Sequence, residues 1–363
     1  MSATALLGLA ACTTPHVGPG VGSRTDGAIP IADRPAATTR LLADTVTIDM
    51  NSHAGRVLAA RRQSASPPFE PLAEPMRAGG MAVICLSIVT DTPVTRTTAD
   101  KRIVAARPPE PGELYTWSRG AFSRLQALIA REQLTIITDA ASLRTARQHG
   151  PAVIVAVEGA DFLEGALDRL DEAHQRYQLR QLQLTHYRAN ELGDTQTDTP
   201  VHGKLTDFGT AIIRGCNRLG IVVDIAHATF EMAKQAASVT SRPLILSHTS
   251  LINQPPPGSR QITPDHARLV AQTGGVIGIW PPTTIFPDLT AYADGVARMV
   301  DIVGVDHVGI GSEMMGLSSA SVFESYRDLP QLTTALLTAG FQIDETARIL
   351  GGNYQRAFEA TLV

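Results

Sequence analysis

Side chains that bind metals or transfer protons follow several short apolar runs of this sequence, each at the point where the run ends. The plainest case is His186, which closes an apolar-rich run from Leu179 and opens a polar loop that continues to Asp194. If such runs are parallel strands of a barrel, their C-terminal ends lie on one face and bring distant residues together. Histidines and carboxylates that converge in this way predict a divalent transition-metal site, most often zinc in a hydrolase. The residues so placed are Asn51, His53, Glu158, His186, His227, His248 and Glu313.

The competing explanation is that these residues are ordinary core or loop side chains. A single histidine after a strand is more often hydrogen-bonded in the core than bound to a metal. Four histidines and two glutamates in equivalent positions are harder to explain by packing, because burying so many ionisable groups without a metal or close pairing is costly. We therefore expect a metal site, in which a carboxylate such as Glu158 can bridge two ions and make a bridging water nucleophilic near neutral pH.

The elements that must position these residues are short strands alternating with helical patterns. This alternation predicts a (β/α)8 TIM-type barrel as a single domain with extra C-terminal helices. A doubly wound open sheet is the alternative, but no GxGxxG follows the first strand, which weakens a dinucleotide-binding interpretation. We expect the eight strands near residues 45–50, 81–89, 153–158, 180–186, 221–226, 243–248, 275–280 and 307–312.

Composition limits the functional classes. The chain has 363 residues, of which 44% are hydrophobic, so it can form a large core and is not globally disordered. Its net charge of −4 argues against a nucleic-acid-binding protein, which usually carries a basic face. The three cysteines form no CxxC pair, which excludes a structural zinc knot and disfavours a disulfide framework. Cys85, inside an apolar run, is expected in the core.

Residues 1–40 are expected to lie outside the barrel domain, which we place at 41–363. Leu9-Ala10-Ala11-Cys12 resembles the lipobox of bacterial lipoproteins, which implies a lipid anchor at Cys12 and a periplasmic or membrane-anchored location. The apolar stretch before it is short and has no preceding Lys or Arg, so a flexible N-terminal segment on a cytoplasmic protein is the alternative. No other run is long and apolar enough to predict a spanning helix.

Seven short motifs together resemble those of the membrane dipeptidase (renal dipeptidase, peptidase M19) family, from about residue 44 to the end. The resemblance implies a (β/α)8 barrel with a binuclear zinc site that hydrolyses dipeptides, some with a D-residue at the C-terminal side. It also implies a homodimer. The motifs are Val157-Glu158-Gly159-Ala160, Leu184-Thr185-His186, Leu205-Thr206-Asp207-Phe208-Gly209, Asp224-Ile225-Ala226-His227, Ser247-His248-Thr249-Ser250, Gly309-Ile310-Gly311-Ser312 and Gly351-Gly352-Asn353-Tyr354.

The same resemblance assigns roles to individual residues. Glu158 resembles the carboxylate that bridges the two zinc ions, and His227 and His248 resemble the histidines of the second zinc. His186 resembles the histidine that contacts the substrate and stabilises the tetrahedral intermediate. Arg260 resembles the arginine that binds the substrate carboxylate, a role that suits the fork of a guanidinium group.

Substrate contacts are also expected from the loop after His186, and in particular from Tyr187 and Asn190. This loop, from Tyr187 to Asp194, is rich in hydrogen-bonding groups and would form one side of the substrate cavity.

The first metal motif departs from the family pattern. Asp49-Met50-Asn51-Ser52-His53 stands where the family has Asp-Gly-His-x-Asp, so Asn51 takes the place of the histidine ligand and His53 that of the aspartate. An amide is a poor zinc ligand beside an imidazole. The site would hold two ions if His53 and Glu158 still bind the first one, and otherwise a single ion at His227 and His248.

The second departure is Glu313, where the family has aspartate. We expect Glu313 to accept or relay a proton and His186 to stabilise the oxyanion. The extra methylene of glutamate must place this carboxylate differently, and catalysis is sensitive to displacements of that size. The leading hypothesis is a zinc-dependent dipeptidase that uses metal-activated water. The alternatives are a metal-altered or inactive homologue that binds a dipeptide-like ligand, and a hydrolase of another amide or lactone.

Overall fold

Eight parallel strands close into a barrel in the computed structural model, which describes residues 29–59 and 66–362. β1 is bordered by β2 and β11, and β2 also pairs with β6, which completes the ring β1-β2-β6-β7-β8-β9-β10-β11. This closure confirms the predicted (β/α)8 fold and excludes the open sheet. The strands are β1 Ile48–Ser52, β2 Val83–Val89, β3 Thr95–Thr97, β4 Ile103–Ala105, β5 Thr135–Ile136, β6 Ala152–Glu158, β7 Leu179–Gln183, β8 Val222–Asp224, β9 Leu244–Thr249, β10 Val276–Ile279 and β11 Val308–Ile310.

Three short strands lie outside the ring and were not predicted. β3 and β4 form an antiparallel hairpin in the polar excursion after β2. β5 pairs with only the first two residues of β6, Ala152 and Val153. Each has two or three residues, too few for a hydrophobic pattern to reveal.

Helices connect the strands and cover the outside of the barrel. They are α1 Arg34–Asp44, α2 Ala73–Gly79, α3 Glu113–Glu132, α4 Ala140–Arg144, α5 Ala146–His149, α6 Asp168–Tyr177, α7 Asp207–Leu219, α8 Phe230–Val239, α9 Pro264–Gln272, α10 Leu289–Val303, α11 Leu329–Thr338, α12 Ile343–Ala347 and α13 Asn353–Thr361. A π-helical turn, Arg348–Gly352, joins α12 to α13. Helix α7 is capped by Gly220, whose φ of 68° suits a left-handed C-cap.

Alternate residues of each strand pack on opposite sides of the barrel wall. On β6, Val153, Val155 and Val157 belong to the large core shared with the helices, whereas Ala152, Ile154 and Ala156 belong to a separate core inside the barrel. This two-sided burial explains why the strands read as continuous apolar runs.

The inner core is closed at the end where the strands begin. Tyr354 and Phe358 of α13 pack there with the first residues of several strands, such as Val83 of β2 and Ala152 of β6. The Tyr354 hydroxyl donates a hydrogen bond to Oε1 of Gln181, 2.7 Å away. The opposite end, where the strands finish, is left for polar side chains.

The N-terminal segment that we expected to lie outside the barrel domain is partly helical. Residues 34–44 form α1, which has Pro35 in its first turn and buries Leu41 and Leu42. The expected anchor residue Cys12 lies outside the described residues. Within the described ranges, no helix has both the length and the apolar character needed to cross a membrane. Cys85 is buried in the inner core, as expected.

Candidate metal and catalytic site

Glu158, the last residue of β6, is the centre of a buried polar cluster at the C-terminal end of the barrel. Its Oε1 accepts a hydrogen bond from the side-chain amide of Asn51 and lies 3.1 Å from Nε2 of His53. Its Oε2 lies 3.0 Å from Nε2 of His186. Burial alone would raise the pKa of Glu158, but His53 and His186 hold it well below its usual range. The carboxylate is therefore ionised and fully partnered.

His227 and His248 face each other beside this carboxylate, with their Nε2 atoms 3.1 Å apart. Burial lowers the pKa of His248 to about 4 and that of His227 well below its usual value. Both rings are therefore neutral, which is the form that binds metal. Two nitrogens bound to one tetrahedral zinc ion, each at 2.0–2.1 Å, would be separated by about 3.3 Å, so the observed spacing fits such a pair.

Glu158, His186 and His227 also each have a ligand-type atom within 4.8 Å of the others. This group contains His186 in place of His248. Because Nδ1 of His186 is held by Asp91 and its Nε2 by Glu158, His186 is already engaged on both sides of its ring. His248 offers Nε2 at 3.1 Å from the same atom of His227. The chemistry of the donors therefore favours Glu158, His227 and His248 as the set that could hold an ion.

Asn51 directs its amide nitrogen into the cluster. Its Nδ2 faces Glu158 and lies 3.1 Å from Nδ1 of His248, while its Oδ1 accepts from the Ser87 hydroxyl at 2.6 Å. A carboxylate only accepts hydrogen bonds, so the amide must present its NH₂ group to Glu158. In this orientation Asn51 offers protons, and not a lone pair, to an ion beside Glu158.

His53 remains the other candidate donor of the first metal motif. Its Nδ1 lies 2.9 Å from the main-chain oxygen of Ser87, which can only accept, so Nδ1 carries a hydrogen. Its Nε2 points to Glu158. The structure therefore brings Asn51 and His53 to the cluster, and their binding of a metal stays a prediction.

Asp91 is a member of the site that the sequence interpretation missed. Its Oδ1 lies 2.9 Å from Nδ1 of His186, and its Oδ2 accepts from the main-chain nitrogen of Tyr187 at 2.9 Å. Burial opposes a charge on His186, but Asp91 and Glu158 raise its pKa to about 10. His186 is therefore a double hydrogen-bond donor. Asp91 lies two residues after the end of β2. A search for polar side chains after every predicted strand would therefore have found it.

Arg260 and Glu313 form a two-point ion pair at the edge of the cluster. Nη1 and Nη2 of Arg260 donate to Oε1 and Oε2 of Glu313 at 3.2 and 3.1 Å. Nη1 also donates to the Tyr187 hydroxyl at 2.9 Å, and the guanidinium lies 4.4 Å from the ring centroid of Trp280. Glu313 adopts a left-handed backbone conformation, with φ of 49°. The structure thus joins three predicted site residues in one contact group.

Asn190 lies in the framework of the loop and does not face the cluster. Its amide donates to the main-chain oxygen of Leu184 at 2.9 Å and to Asp161 at 3.4 Å, and it accepts from the nitrogen of Leu192 at 2.9 Å. Both polar atoms of its side chain therefore have partners in the loop and in the segments that support it. The expected substrate contact from Asn190 stays a prediction, and the loop supplies Tyr187 to the site directly.

A cavity of about 220 Å³ lies outside the cluster. Tyr187, Arg260 and Trp280 line it on the barrel side, and residues 101–104 of the β3–β4 hairpin line it on the solvent side. Neither Glu158 nor the histidines are among the described residues that line this cavity. Arg260 and its two aromatic neighbours thus separate the cavity from the cluster.

Comparison with known proteins gives one consistent family. Residues 74–362 match the family described as membrane dipeptidase (Peptidase family M19). The chain is 28% identical over 270 residues to the dipeptidase aclJ of Aspergillus oryzae, an alignment that covers 69% of this chain and 63% of that protein. It is 29% identical over 217 residues to the dipeptidase verJ of Clonostachys rogersoniana, which covers 58% and 55% of the two chains. It thus spans less than two thirds of the length of these relatives.

Solved structures of low sequence identity share the fold. The probable dipeptidase PvdM of Pseudomonas aeruginosa superposes with a TM-score of 0.74 at 15% identity, over 92% of this chain and 99% of that one. A metallopeptidase of Rhodobacter sphaeroides, solved with a phosphinate mimic of the dipeptide L-Ala-D-Ala, superposes with a TM-score of 0.73 at 21% identity, over 88% and 100%. These similarities agree with the closed barrel described above.

Proposed function

Because the chain belongs to the membrane dipeptidase family, we propose that it is a zinc-dependent dipeptidase that hydrolyses the amide bond of dipeptides. The observation that carries the proposal is that Glu158 and His227 have ligand-type atoms within 4.8 Å of each other, and that His248 faces His227 close to Arg260 at the C-terminal face of the barrel. We include dipeptides with a C-terminal D-residue, because the similar Rhodobacter metallopeptidase was solved with a mimic of L-Ala-D-Ala.

His227, His248 and Glu158 would hold the zinc ion. When bound, zinc supplies a Lewis acid that polarises the scissile carbonyl and lowers the pKa of its water ligand. We propose a single ion. The Asn51 amide donates to the carboxylate oxygen that a first-site ion would share, and only His53 remains as a further donor there.

His186 would stabilise the oxyanion. Asp91 keeps Nδ1 of the ring protonated, and Nε2, which lies 3.0 Å from Oε2 of Glu158 here, would turn its hydrogen to a substrate oxygen as negative charge develops on that oxygen. This donor is fixed before the substrate arrives, because Asp91 is buried and uses both of its oxygens to hold His186 and Tyr187.

Glu313 would accept a proton from the attacking water and pass it to the leaving amine. Arg260 would bind the substrate carboxylate, for which its guanidinium fork is suited. Tyr187 and Trp280 hold that guanidinium in place from two sides.

The test is hydrolysis of a panel of dipeptides with L- and D-residues at each position by the purified protein, before and after chelation and zinc addition. We expect turnover that chelation abolishes and zinc restores. A matched variant, His248→Gln, should lose both the bound zinc and the turnover while the fold, measured by circular dichroism, persists. Absence of hydrolysis across the panel with zinc bound would refute the proposal.

The second candidate is a protein that binds a dipeptide-like ligand without turnover. The observation that favours it is the hydrogen bond from the Asn51 amide to Oε1 of Glu158. An enzyme with two metal ions would use that oxygen to bind metal. It predicts that the phosphinate mimic of L-Ala-D-Ala binds, as measured by calorimetry, whereas no dipeptide of the panel is cleaved.

A further inference from the structure

Glu313 occupies the place on Arg260 that a substrate carboxylate would need. We propose that a ligand carboxylate and Glu313 compete for Arg260, so that a substrate with a free carboxylate releases Glu313 to act on the scissile bond. The inference rests on the proposed function and deepens it. It makes the free carboxylate of the substrate a condition for catalysis as well as a point of binding.

The geometry leaves Arg260 no accessible pair of donors. Glu313 takes one hydrogen from each terminal nitrogen, at 3.2 and 3.1 Å, and the Tyr187 hydroxyl takes a second hydrogen from Nη1. The remaining edge of the guanidinium includes Nε, which is buried and has no hydrogen-bond partner among the described residues. A carboxylate that enters from the cavity can therefore obtain a two-point contact with both terminal nitrogens only by replacing Glu313.

Burial makes this exchange selective for anions. The side chains of Arg260 and Glu313 are 13% and 3% exposed, so water screens their attraction weakly. Removing Glu313 without a replacement would leave a buried guanidinium uncompensated, which is costly. A neutral ligand such as a peptide amide cannot supply that compensation, whereas a carboxylate can.

Glu313 is the partner that is able to move. Arg260 is held by Tyr187 and Trp280 as well as by Glu313. Among the described residues, by contrast, Arg260 is the one side chain that donates hydrogen bonds to the Glu313 carboxylate. Glu313 therefore has fewer side-chain contacts to lose than Arg260 has when the pair separates.

The cavity provides a path by which a ligand carboxylate can reach Arg260 and replace Glu313. The cavity of about 220 Å³ reaches Arg260 from outside, and none of the described residues that line it is acidic. Lys101 and Arg102 of the hairpin lie at its solvent side, where Arg102 is paired with Asp100 and Lys101 supplies a further positive charge. An anionic group is therefore attracted to the outer side of Arg260, while Glu313 lies on the side of the cluster, with its backbone nitrogen 2.9 Å from the main-chain oxygen of Asn51.

The experiment compares two ligands that differ in one group: the phosphinate mimic of L-Ala-D-Ala and its C-terminal carboxamide. Their affinities for the zinc-loaded protein are measured by calorimetry for the wild type, Glu313→Gln and Glu313→Asp. Neutralising Glu313 removes the competitor, so we expect Glu313→Gln to bind the carboxylate mimic roughly tenfold more tightly or better, the scale of one charge-assisted hydrogen bond. The carboxamide should bind all three proteins within about twofold.

Glu313→Asp serves as the second variant in case Glu313→Gln is unstable. Its shorter side chain weakens the pair, and it should shift the affinity for the carboxylate mimic in the same direction by a smaller factor. The inference is overturned if the affinity for the carboxylate mimic is unchanged or lower in both variants. It is also overturned if the variants bind the carboxylate mimic and the carboxamide more tightly by the same factor.

Hydrolysis of L-Ala-D-Ala and of its carboxamide by the wild type separates the inference from the proposed function. We expect kcat to be at least roughly tenfold lower for the carboxamide, because Glu313 stays on Arg260; a difference in KM alone would contradict the competition. If the carboxylate mimic binds more tightly to Glu313→Gln but neither compound is cleaved by the wild type, the competition stands and the dipeptidase proposal fails.

Discussion

The side-chain amide of Asn51 donates a hydrogen bond to Oε1 of Glu158, at the carboxylate oxygen that His53 also contacts. A lone-pair donor at position 51 would leave that oxygen available to an ion. The amide instead satisfies it with a proton, and the Ser87 hydroxyl fixes the amide on its other side at 2.6 Å. This contact is the reason why we propose one metal ion and not two.

Replacing Asn51 with histidine should therefore raise the metal content. An imidazole can turn a lone pair toward an ion shared with Glu158 and His53, so Asn51→His is expected to bind close to two zinc ions per chain where the wild type binds one. Metal analysis after dialysis measures this directly. Asn51→Ala is the matched control, since it removes the amide without adding a ligand, and it should stay at one ion. An unchanged content in Asn51→His would remove His53 from the candidate ligands.

His248 and His186 should respond differently to the same substitution. His248→Gln removes a proposed ligand and is expected to lose zinc. His186→Gln should keep zinc and lose about 10²-fold or more in kcat, the scale for removing one oxyanion donor. Metal analysis and steady-state kinetics on both variants test the assignment. Zinc loss in His186→Gln with retention in His248→Gln would show that the ion is held by Glu158, His186 and His227 instead.

Asp91 should act through His186. Asp91→Asn leaves a side chain of the same shape but weakens the hold on the Nδ1 hydrogen, so kcat is expected to fall by about 10- to 100-fold while KM and zinc content change little. Asp161→Asn is the matched control, because Asp161 is equally buried but pairs with Arg188. It should lower the melting temperature without a selective effect on kcat. Equal losses of kcat in the two variants would contradict the role given to Asp91.

The closure of the inner core predicts a stability effect far from the site. Tyr354→Phe removes the hydroxyl that donates to Gln181 and leaves a buried oxygen without its partner, so the free energy of unfolding should fall by about 1–3 kcal/mol. Tyr115→Phe, whose hydroxyl contacts Glu172 at the half-exposed outer surface, is expected to change it by less than about 0.5 kcal/mol. Denaturant unfolding measures both. Similar values for the two variants would count against a closed inner core.

The strand pattern could be predicted because both faces of each barrel strand are buried. β6 is an unbroken apolar run up to Glu158, and that run marks the strand and its end at once. The residues at the strand ends followed from this, and Glu158, His186, His227 and His248 are brought together as expected. Short elements such as the β3–β4 hairpin carry too few residues for a periodic signal.

The interactions inside the site could not be predicted in the same way. That Asn51 turns its NH₂ group to Glu158 depends on the acceptors around it, which come from other strands. Glu313 reaches both terminal nitrogens of Arg260 because the loop after β11 and the loop after β9 bring the two side chains face to face. The residue type at a strand end predicts which side chains belong to the site. Which of them form hydrogen bonds with each other depends on the three-dimensional arrangement.

The most direct test of the central claim is a zinc titration of the metal-free protein with the hydrolysis rate of L-Ala-D-Ala as the readout. We predict no activity without zinc, a linear rise in the rate as zinc is added, and a plateau at one equivalent per chain. A rate that stays at zero after zinc is bound, or a plateau at two equivalents, would contradict it.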